Sequence, residues 1–234
     1  MSSGFFITGT DTGVGKTEVA CLLTSGLAAS GLKVGVMKPV AAGAVSTPQG
    51  LRNEDALALM ACASIEARYE TVNPFCLTEP IAPHIAAADA GVRIRTADIV
   101  ECFAALKRQA DCIVVEGAGG WLVPIGAQET MADVARALDL PVVLVVGLRL
   151  GCLSHALLTA QAIRASGLLL AGWIGNGVDA VYARQAENLA TLEHWLGLPP
   201  AAIVPHGASA AQRVKLAAQA ARAVRERAAL SGSM

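Results

Sequence analysis

The sequence predicts an α/β protein with a doubly wound, mainly parallel sheet and helices on both faces. Five continuous apolar runs have the length of buried strands, and helix-length segments lie between them. Strands covered on both faces are apolar throughout, whereas half-exposed strands alternate. A glycine-bearing loop after the first run opens the first helix, as in nucleotide-binding α/β proteins. The 234 residues show no repeat, linker or break in composition, so we expect a single domain over residues 1–234.

The predicted elements follow one another along the chain. The apolar runs that predict strands cover residues 4–8, 33–40, 111–115, 142–146 and 168–174, with a short last strand at 203–205. The predicted helices cover residues 16–29, 99–109, 154–165, 184–196 and 210–229. Residues 41–98 are the least regular part, because several prolines interrupt them. We expect this region to form excursions above the sheet, where a small substrate could lie.

Composition and charge exclude several classes of function. Hydrophobic residues make up 54% and charged residues 16%, which excludes an intrinsically disordered chain. A formal net charge of −1 gives no broad basic field, so neither nucleic acid nor a membrane surface is expected as a partner. The longest dense apolar run, residues 141–148, is far shorter than a membrane span, and no targeting segment is recognisable, so we expect a cytoplasmic protein. Scattered cysteines without a C-x-x-C pair predict neither zinc nor disulfides.

The strongest local signal is the loop Gly9-Thr10-Asp11-Thr12-Gly13-Val14-Gly15-Lys16-Thr17, between the first strand and the first helix. In such a loop, backbone N–H groups surround phosphate oxygens, a lysine reaches the β- and γ-phosphates, and a hydroxyl ligates Mg²⁺. Lys16 and Thr17 occupy those positions. Thr10 replaces the first glycine of the strict G-x-x-x-x-G-K-[ST] pattern, with Gly9 one residue early. A glycine turn with a chance lysine is the alternative, but the flanking strand and helix favour a nucleoside triphosphate.

Charged residues follow two apolar strands at the same edge of the predicted sheet. Glu116 comes at the carboxyl end of its strand, where open α/β sheets bind ligands and where a carboxylate can hold Mg²⁺. The glycines after it let the backbone approach a ligand closely. Lys38 ends the second strand and would place a second cation beside the phosphates. An ordinary strand-end acid and an ordinary strand-end lysine are the alternatives. Spacing alone leaves Asn53, Glu54 and Asp55 open as helix caps or metal ligands.

A series of separated motifs spans most of the chain. In order they are Gly9-Thr10-Asp11-Thr12 with Val14-Gly15-Lys16-Thr17, Lys38-Pro39-Val40, Asp55-Ala56, Pro83-His84, Val115-Glu116-Gly117-Ala118-Gly119-Gly120, Gly151-Cys152 with His155, and Ala171-Gly172-Trp173 with Asn176. Singly most of these motifs are weak, but together they are specific. The set resembles the ATP-dependent dethiobiotin synthetases, a family of the P-loop NTPase superfamily.

This resemblance implies an ATP-dependent cyclo-ligase of biotin biosynthesis. Its substrates would be 7,8-diaminopelargonic acid, CO₂ and MgATP, and its products dethiobiotin, ADP and phosphate. One amine traps CO₂ as a carbamate, and the γ-phosphoryl group passes to a carbamate oxygen to give a carbamic-phosphoric anhydride. The neighbouring amine then displaces phosphate and closes the cyclic urea. The implied cofactor is Mg²⁺, with ATP as co-substrate, and the implied assembly is a homodimer with the substrate site at the subunit interface.

The resemblance also implies roles for individual residues. Lys16, Lys38 and Thr12 would be catalytic, with Thr12 near the carbamate. The Mg²⁺ shell would consist of Thr17, Asp55 and Glu116. The residues that would hold the nucleotide and its metal are Gly13, Val14, Gly15, Lys16, Thr17, Asp55, Glu116, Gly117, Ala118, Gly119, Asn176, Pro205, His206, Gly207 and Gln212. The residues that would contact the diamine are Thr12, Lys38, Ala42, Gly151, Cys152 and Ser154, the last three from the partner subunit.

Two positions depart from the family pattern. Ala42 stands where a serine often follows Lys-Pro-Val-x, so a hydroxyl contact with the substrate is absent. Ser154 stands where an asparagine often precedes His155, so recognition of the substrate carboxylate would be shorter-reaching or water-mediated. His84 and His155 are equally compatible with purely structural roles.

Two other classes of protein share parts of the pattern. A partitioning-type regulatory P-loop ATPase would have a similar fold, but it usually carries a lysine early in the phosphate loop, where this chain has Asp11. A GTP-binding module would carry an N-K-x-D sequence, which Asn176-Gly177-Val178-Asp179 matches only without the lysine. The sequence therefore favours ATP and leaves the strength of that preference open.

Overall fold

The computed structural model describes residues 4–231. Its strands are β1 (Gly4–Gly9), β2 (Val34–Met37), β3 (Val40–Ala41), β4 (Val45–Thr47), β5 (Gly50–Arg52), β6 (Phe75–Cys76), β7 (Cys112–Gly120), β8 (Val142–Gly147), β9 (Leu170–Asn176) and β10 (Ala202–Val204). Its helices are α1 (Lys16–Ala29), α2 (Glu54–Cys62), α3 (Tyr69–Val72), α4 (Pro83–Asp89), α5 (Thr96–Lys107), α6 (Met131–Leu138), α7 (Cys152–Ala165), α8 (Gln185–Leu196) and α9 (Ala210–Ser231). Within the described residues, no helix is long and apolar enough to cross a bilayer.

A parallel sheet in the order β10-β9-β8-β1-β7-β2 forms the centre of the protein. The strands β1, β2, β8 and β9 are buried along their whole length, which is why their sequences are continuous apolar runs. Helix α1 packs on α9, α5 on α6, and α7 on α8. Helices cover both sides of the sheet, and the predicted doubly wound α/β fold is confirmed.

The strands of the central sheet lie within two residues of the predicted ones at both ends, except that two of them end elsewhere. The second strand ends at Met37, and β3 pairs with β6 in a separate small sheet. Pro39 has no N–H to donate to the ladder, and the N–H of Lys38 donates to the carbonyl of Val72 at 2.9 Å. The third strand continues to Gly120, so Glu116 lies within β7 and not at its end. The irregular region 41–98 contains short elements, including the antiparallel hairpin of β4 and β5.

The order of the strands gathers the predicted site residues at one edge of the sheet. Strand β1 lies between β7 and β8. The chain passes from β1 to β2 and β7 on one side of β1, and then to β8, β9 and β10 on the other side. Ligands of open α/β sheets bind at such a switch point, outside the carboxyl ends of the strands. The phosphate loop follows β1, Lys38 follows β2, and Asn176 is the last residue of β9.

Candidate active site

The loop between β1 and α1 has the backbone that phosphate binding requires. Gly13 and Gly15 have φ values of 74° and 83°, a left-handed conformation that favours glycine. Gly15 is the N-cap of α1, and it provides no side-chain hydrogen bond to the first turn. The first N–H groups of α1 therefore remain available to an anion at the positive end of the helix dipole.

Lys16 begins α1 and lies across this loop. Its Nζ atom donates a hydrogen bond to the carbonyl oxygen of Asp11 at 2.9 Å, and the side chain is almost fully buried. Burial, followed by the neighbouring charge of Lys38, lowers the pKa of Lys16 to about 8. The oxygens of a bound phosphate would supply a negative counter-charge for the buried ammonium group of Lys16.

Lys38 connects the two carboxylates of the site. Its Nζ atom lies 2.6 Å from Oε1 of Glu116 and 2.8 Å from Oδ2 of Asp55. The hydroxyl of Thr17 donates to the same Oε1 atom of Glu116 at 2.9 Å. Burial opposes the charge on Lys38, but the two carboxylates outweigh it and raise the pKa of Lys38. Burial likewise opposes the charge on Asp55, and Lys38 outweighs it and lowers the pKa of Asp55.

The oxygens of Thr17, Asp55 and Glu116 suit a magnesium ion. Glu116 is only 1% exposed, and its Oε2 atom is buried without a hydrogen-bond partner in the described chain. Such an atom is costly unless something binds it. Within residues 4–231 there is no cluster of three or more His, Cys, Asp or Glu side chains that would form an all-protein metal cage. Magnesium typically binds one or two carboxylates and takes its other ligands from phosphates and water.

The structure separates the roles of Asn53, Glu54 and Asp55 at the start of α2. Asn53 is the N-cap, because its backbone is extended and its Oδ1 atom accepts a hydrogen bond from the N–H of Ala56 at 3.3 Å. Glu54 is exposed, whereas Asp55 turns toward Lys38. Of the three residues that the sequence left open, Asp55 is therefore the one in the site.

Residues predicted to contact the base lie beside the phosphate loop. Nδ2 of Asn176 donates to the carbonyl oxygen of Val14 at 3.1 Å. The N–H of Gly177 donates to the carbonyl of Val204 at 2.8 Å, and the ring of His206 lies 3.2 Å from the carbonyl oxygen of Gly177. The loop of Pro205, His206 and Gly207 is exposed next to them. The structure brings this loop and Asn176 together.

Gln212 makes contacts of a different kind. Its Oε1 atom accepts a hydrogen bond from the N–H of Ser209 at 2.8 Å, and its own N–H lies 3.3 Å from the Ser209 hydroxyl. This reciprocal pair is a capping box at the start of α9. A nucleotide contact by Gln212 stays a prediction.

The predicted substrate residues are divided between two places. Thr12 is exposed, its N–H donates to Oδ1 of Asp11 at 2.7 Å, and a Cβ atom on Gly119 would lie 3.6 Å from its hydroxyl. The backbone carbonyl of Ala42 accepts a hydrogen bond from Nδ2 of Asn53, the N-cap of α2, at 3.2 Å. Thr12 belongs to the phosphate loop, and Ala42 contacts Asn53 at the start of α2. A contact of either residue with the substrate stays a prediction.

The segment that opens α7 is less directly connected. Gly151 has a φ of 94° and caps α7, Cys152 is buried with its sulfur 3.3 Å from the hydroxyl of Tyr182, and Ser154 is exposed. In the described chain no hydrogen bond or ion pair joins these three residues to the phosphate loop. Arg149 makes that connection instead, because its Nη2 atom lies 2.7 Å from Oδ2 of Asp11. Sequence reasoning missed Arg149, although its place just after β8 at the carboxyl edge was a usable signal.

Fold and site together define a P-loop nucleoside triphosphatase. Solved structures of that class are similar in fold: the cell division ATPase MinD of Pyrococcus furiosus has a TM-score of 0.61 at 15% identity, over 96% of this chain and 99% of that one. A ParA family ATPase from Chlorobium tepidum TLS has a TM-score of 0.52 at 14% identity, over 97% of this chain and 99% of that one. Identities this low show the fold alone.

Sequence relatives give the family. A family model described as an AAA domain matches residues 3–213. An ATP-dependent dethiobiotin synthetase of Xanthomonas oryzae pv. oryzae is 52% identical over 83% of this chain and 87% of its own length. Enzymes of the same name from Aromatoleum aromaticum and Pseudomonas aeruginosa are 50% and 52% identical over 88% and 86% of this chain, and over 92% and 89% of their own lengths. The chain belongs to the ATP-dependent dethiobiotin synthetase family, a family of ligases, which confirms the predicted resemblance and does not favour the partitioning-type ATPase.

Proposed function

We propose that the protein converts 7,8-diaminopelargonic acid, CO₂ and ATP into dethiobiotin, ADP and phosphate. The observation that carries this proposal is the contact of Lys38 with both Glu116 and Asp55 beside the phosphate loop. It places a second buried ammonium close to Lys16. A nucleotide switch must compensate the charge of a triphosphate alone, whereas this reaction must also compensate a carbamate.

The proposed reaction has three steps. A nitrogen of the diamine forms a C–N bond to CO₂ and loses a proton, which gives the carbamate. A carbamate oxygen attacks the γ-phosphorus, and the bond from that phosphorus to the β,γ-bridging oxygen breaks to release ADP. The second amine then attacks the carbamate carbon, loses a proton and expels phosphate, which closes the ring.

Two ammonium groups balance the charge that develops in these steps. Lys38 stays protonated near neutral pH, because its carboxylate partners raise its pKa. Lys16, at the start of α1, would bind the β- and γ-phosphates together with the loop N–H groups. Thr12 is an exposed residue of the loop that faces Gly119, and there it would border the carbamate. Holding both reactants in this geometry supplies much of the acceleration expected for phosphoryl transfer.

Thr17, Asp55 and Glu116 would hold Mg²⁺. The fit rests on their oxygen-only donor set and on the unpartnered Oε2 atom of Glu116. When bound, Mg²⁺ supplies positive charge to the phosphate oxygens. Lys38 would then position the two carboxylates, because it contacts both of them.

We further propose a homodimer in which the start of α7 from one subunit reaches the substrate of the other. Leu150, just before α7, is 97% exposed, and Leu158 on α7 is 62% exposed. Val181 is 85% exposed and precedes Tyr182, whose hydroxyl lies 3.3 Å from the sulfur of Cys152 at the start of α7. Exposed apolar side chains of this kind support an interaction surface here. Gly151, Cys152 and Ser154 of the partner subunit would contact the substrate carboxylate at the N-terminus of that helix.

The test is the incorporation of labelled bicarbonate. We expect acid-stable label only when ATP, Mg²⁺ and the diamine are all present, with one ADP formed for each carbon incorporated. The control variant is Lys38→Met, which keeps the volume of the side chain and removes the ammonium group. We expect it to incorporate no label. ATP hydrolysis that continues unchanged without diamine would contradict the proposal and favour a nucleotide switch.

A further inference from the structure

We propose that Glu18 is a positioning residue that makes the nucleotide site selective for adenine over guanine. It does so by holding the side-chain amide of Asn176 in one orientation, with its oxygen toward the base. The inference rests on the proposed function to the extent that Asn176 is taken to contact the base. Nothing in the sequence motifs pointed to Glu18, which lies in the first turn of α1.

The neighbours of Asn176 decide which way its amide points. Its Nδ2 atom lies 3.1 Å from the carbonyl oxygen of Val14 and 3.4 Å from Oε2 of Glu18. A carbonyl and a carboxylate only accept hydrogen bonds, so the NH₂ group must face them. Asn176 is only 4% exposed, so an inverted amide would bring its oxygen against two acceptors in a buried place.

The oxygen of this amide remains available. In the described chain no group donates a hydrogen bond to Oδ1 of Asn176, and this atom is not fully enclosed. Oδ1 is therefore an unused acceptor at the surface of the site. With both hydrogens of Nδ2 directed at Val14 and Glu18, Asn176 offers a base an acceptor and no donor.

The amide is also fixed relative to the phosphate site. A Cβ atom on Gly15 would lie 2.0 Å from Nδ2 of Asn176, so the amide packs directly on the backbone of the phosphate loop. Glu18 is itself held, because its Oε1 atom lies 2.5 Å from Nη1 of Arg213. Arg213 also donates from Nε to the carbonyl of Ala208 at 3.0 Å, next to the loop of residues 205–207. Glu18 thus joins α1, the end of β9 and the start of α9.

An acceptor at this position distinguishes the two purines. Adenine carries an amino group at position 6, which donates, whereas guanine carries a carbonyl there, which accepts. Oδ1 of Asn176 can pair with the adenine amino group, but it would oppose the guanine oxygen and leave both atoms unpaired. Sites built around a specific hydrogen bond reject the mismatched partner far better than sites that rely on shape.

The test compares binding of ADP and GDP by calorimetry, and ATP and GTP as substrates. For the wild type we expect at least a tenfold tighter Kd for ADP. In Glu18→Leu the amide loses one of its two acceptors, and we expect the ADP to GDP ratio to fall by about tenfold. The KM for ATP should rise while kcat and the KM for the diamine stay within about twofold. Glu18→Gln keeps an acceptor oxygen and should retain the wild-type ratio, which a merely structural role would not require.

Two further measurements keep the test decisive. Arg213→Gln releases Glu18 from α9 and should lower the ADP to GDP ratio in the same direction. It takes the place of Glu18→Leu if that variant does not fold. Glu226→Gln, on the exposed side of α9, removes a carboxylate elsewhere and should change nothing. No preference for ADP in the wild type, or an unchanged ratio in both Glu18→Leu and Arg213→Gln, would overturn the inference. Because ADP and GDP binding needs no reaction, failure of the proposed ligase activity would be seen separately, in the bicarbonate assay.

Discussion

The Nζ atom of Lys38 lies 2.6 Å from Oε1 of Glu116, although the two residues are 78 positions apart in the sequence. The register of the sheet explains this contact. Met37, the last residue of β2, pairs with Val115 of β7, so Lys38, which follows β2, lies next to Glu116. Both side chains are buried, and Lys38 holds Glu116 and Asp55 at once. We therefore expect this ion pair to affect both the free energy of unfolding and the turnover of the protein.

Replacing Lys38 should cost both turnover and stability. In Lys38→Met the carboxylate of Glu116 stays buried without its cation, and we expect the free energy of unfolding to fall by about 3–5 kcal/mol. The double variant Lys38→Met/Glu116→Gln removes the stranded charge and should recover most of that loss. Urea denaturation measures both values, and label incorporation should be lost in both variants. If the single variant were as stable as the wild type, the contact would not be a buried ion pair in solution.

The sequence predicted the residues whose geometry is local. The phosphate loop lies within nine consecutive residues between a strand and a helix, so spacing alone places Lys16 and Thr17. The proximity of Lys38 and Glu116 was also predictable, because both were assigned to the carboxyl edge of neighbouring parallel strands, although Glu116 lies within β7 and not at its end. The ends of the strands were less predictable, because the break after Met37 depends on Pro39 and on the hydrogen bond from the N–H of Lys38 to the carbonyl of Val72.

Residues that depend on distant contacts were not predicted. The choice among Asn53, Glu54 and Asp55 required the backbone of Asn53, whose N–H also donates to the hydroxyl of Tyr69 at 2.7 Å. Arg149 contacts Asp11 across 138 positions of sequence. The position of Arg149 just after β8 indicates the carboxyl edge of the sheet, but no sequence pattern identifies Asp11 as its partner, because packing of whole elements brings the two residues together.

Gly15 and Gly13 provide a matched pair of substitutions in the phosphate loop. Both have a positive φ, so alanine at either position should cost about 1–2 kcal/mol in backbone strain. At Gly13 nothing lies within 4 Å of a new Cβ atom, whereas at Gly15 it would lie 2.0 Å from Nδ2 of Asn176. We expect Gly15→Ala to lose about 1–3 kcal/mol more than Gly13→Ala in thermal or urea unfolding. Equal losses would show that Asn176 does not pack on the loop.

The exposed leucine before α7 tests the proposed homodimer. Sedimentation should give a particle of twice 23.9 kDa for the wild type. Leu150→Asp should shift the mass toward the single chain and raise the KM for the diamine, while ADP binding stays unchanged. Leu230→Asp is the matched control, because Leu230 is 71% exposed on α9. A wild type that sediments as a single chain at micromolar concentration, with full activity, would contradict a shared substrate site.

Nucleotide binding should take up a proton above pH 8, because of Lys16. In the free protein the pKa of Lys16 is lowered to about 8, so between pH 8 and its ordinary value of 10.5 the side chain is largely neutral. The phosphates of ATP favour the charged form and raise this pKa again. At pH 9 we therefore expect an uptake on the order of one proton per ATP bound, and an affinity that weakens as the pH rises further. Calorimetry in two buffers of different ionisation enthalpy measures this uptake. Lys16→Arg is the control, because arginine stays charged throughout this range and its variant should take up no proton. Binding by the wild type without proton uptake at pH 9 would mean that Lys16 is already charged in the free protein.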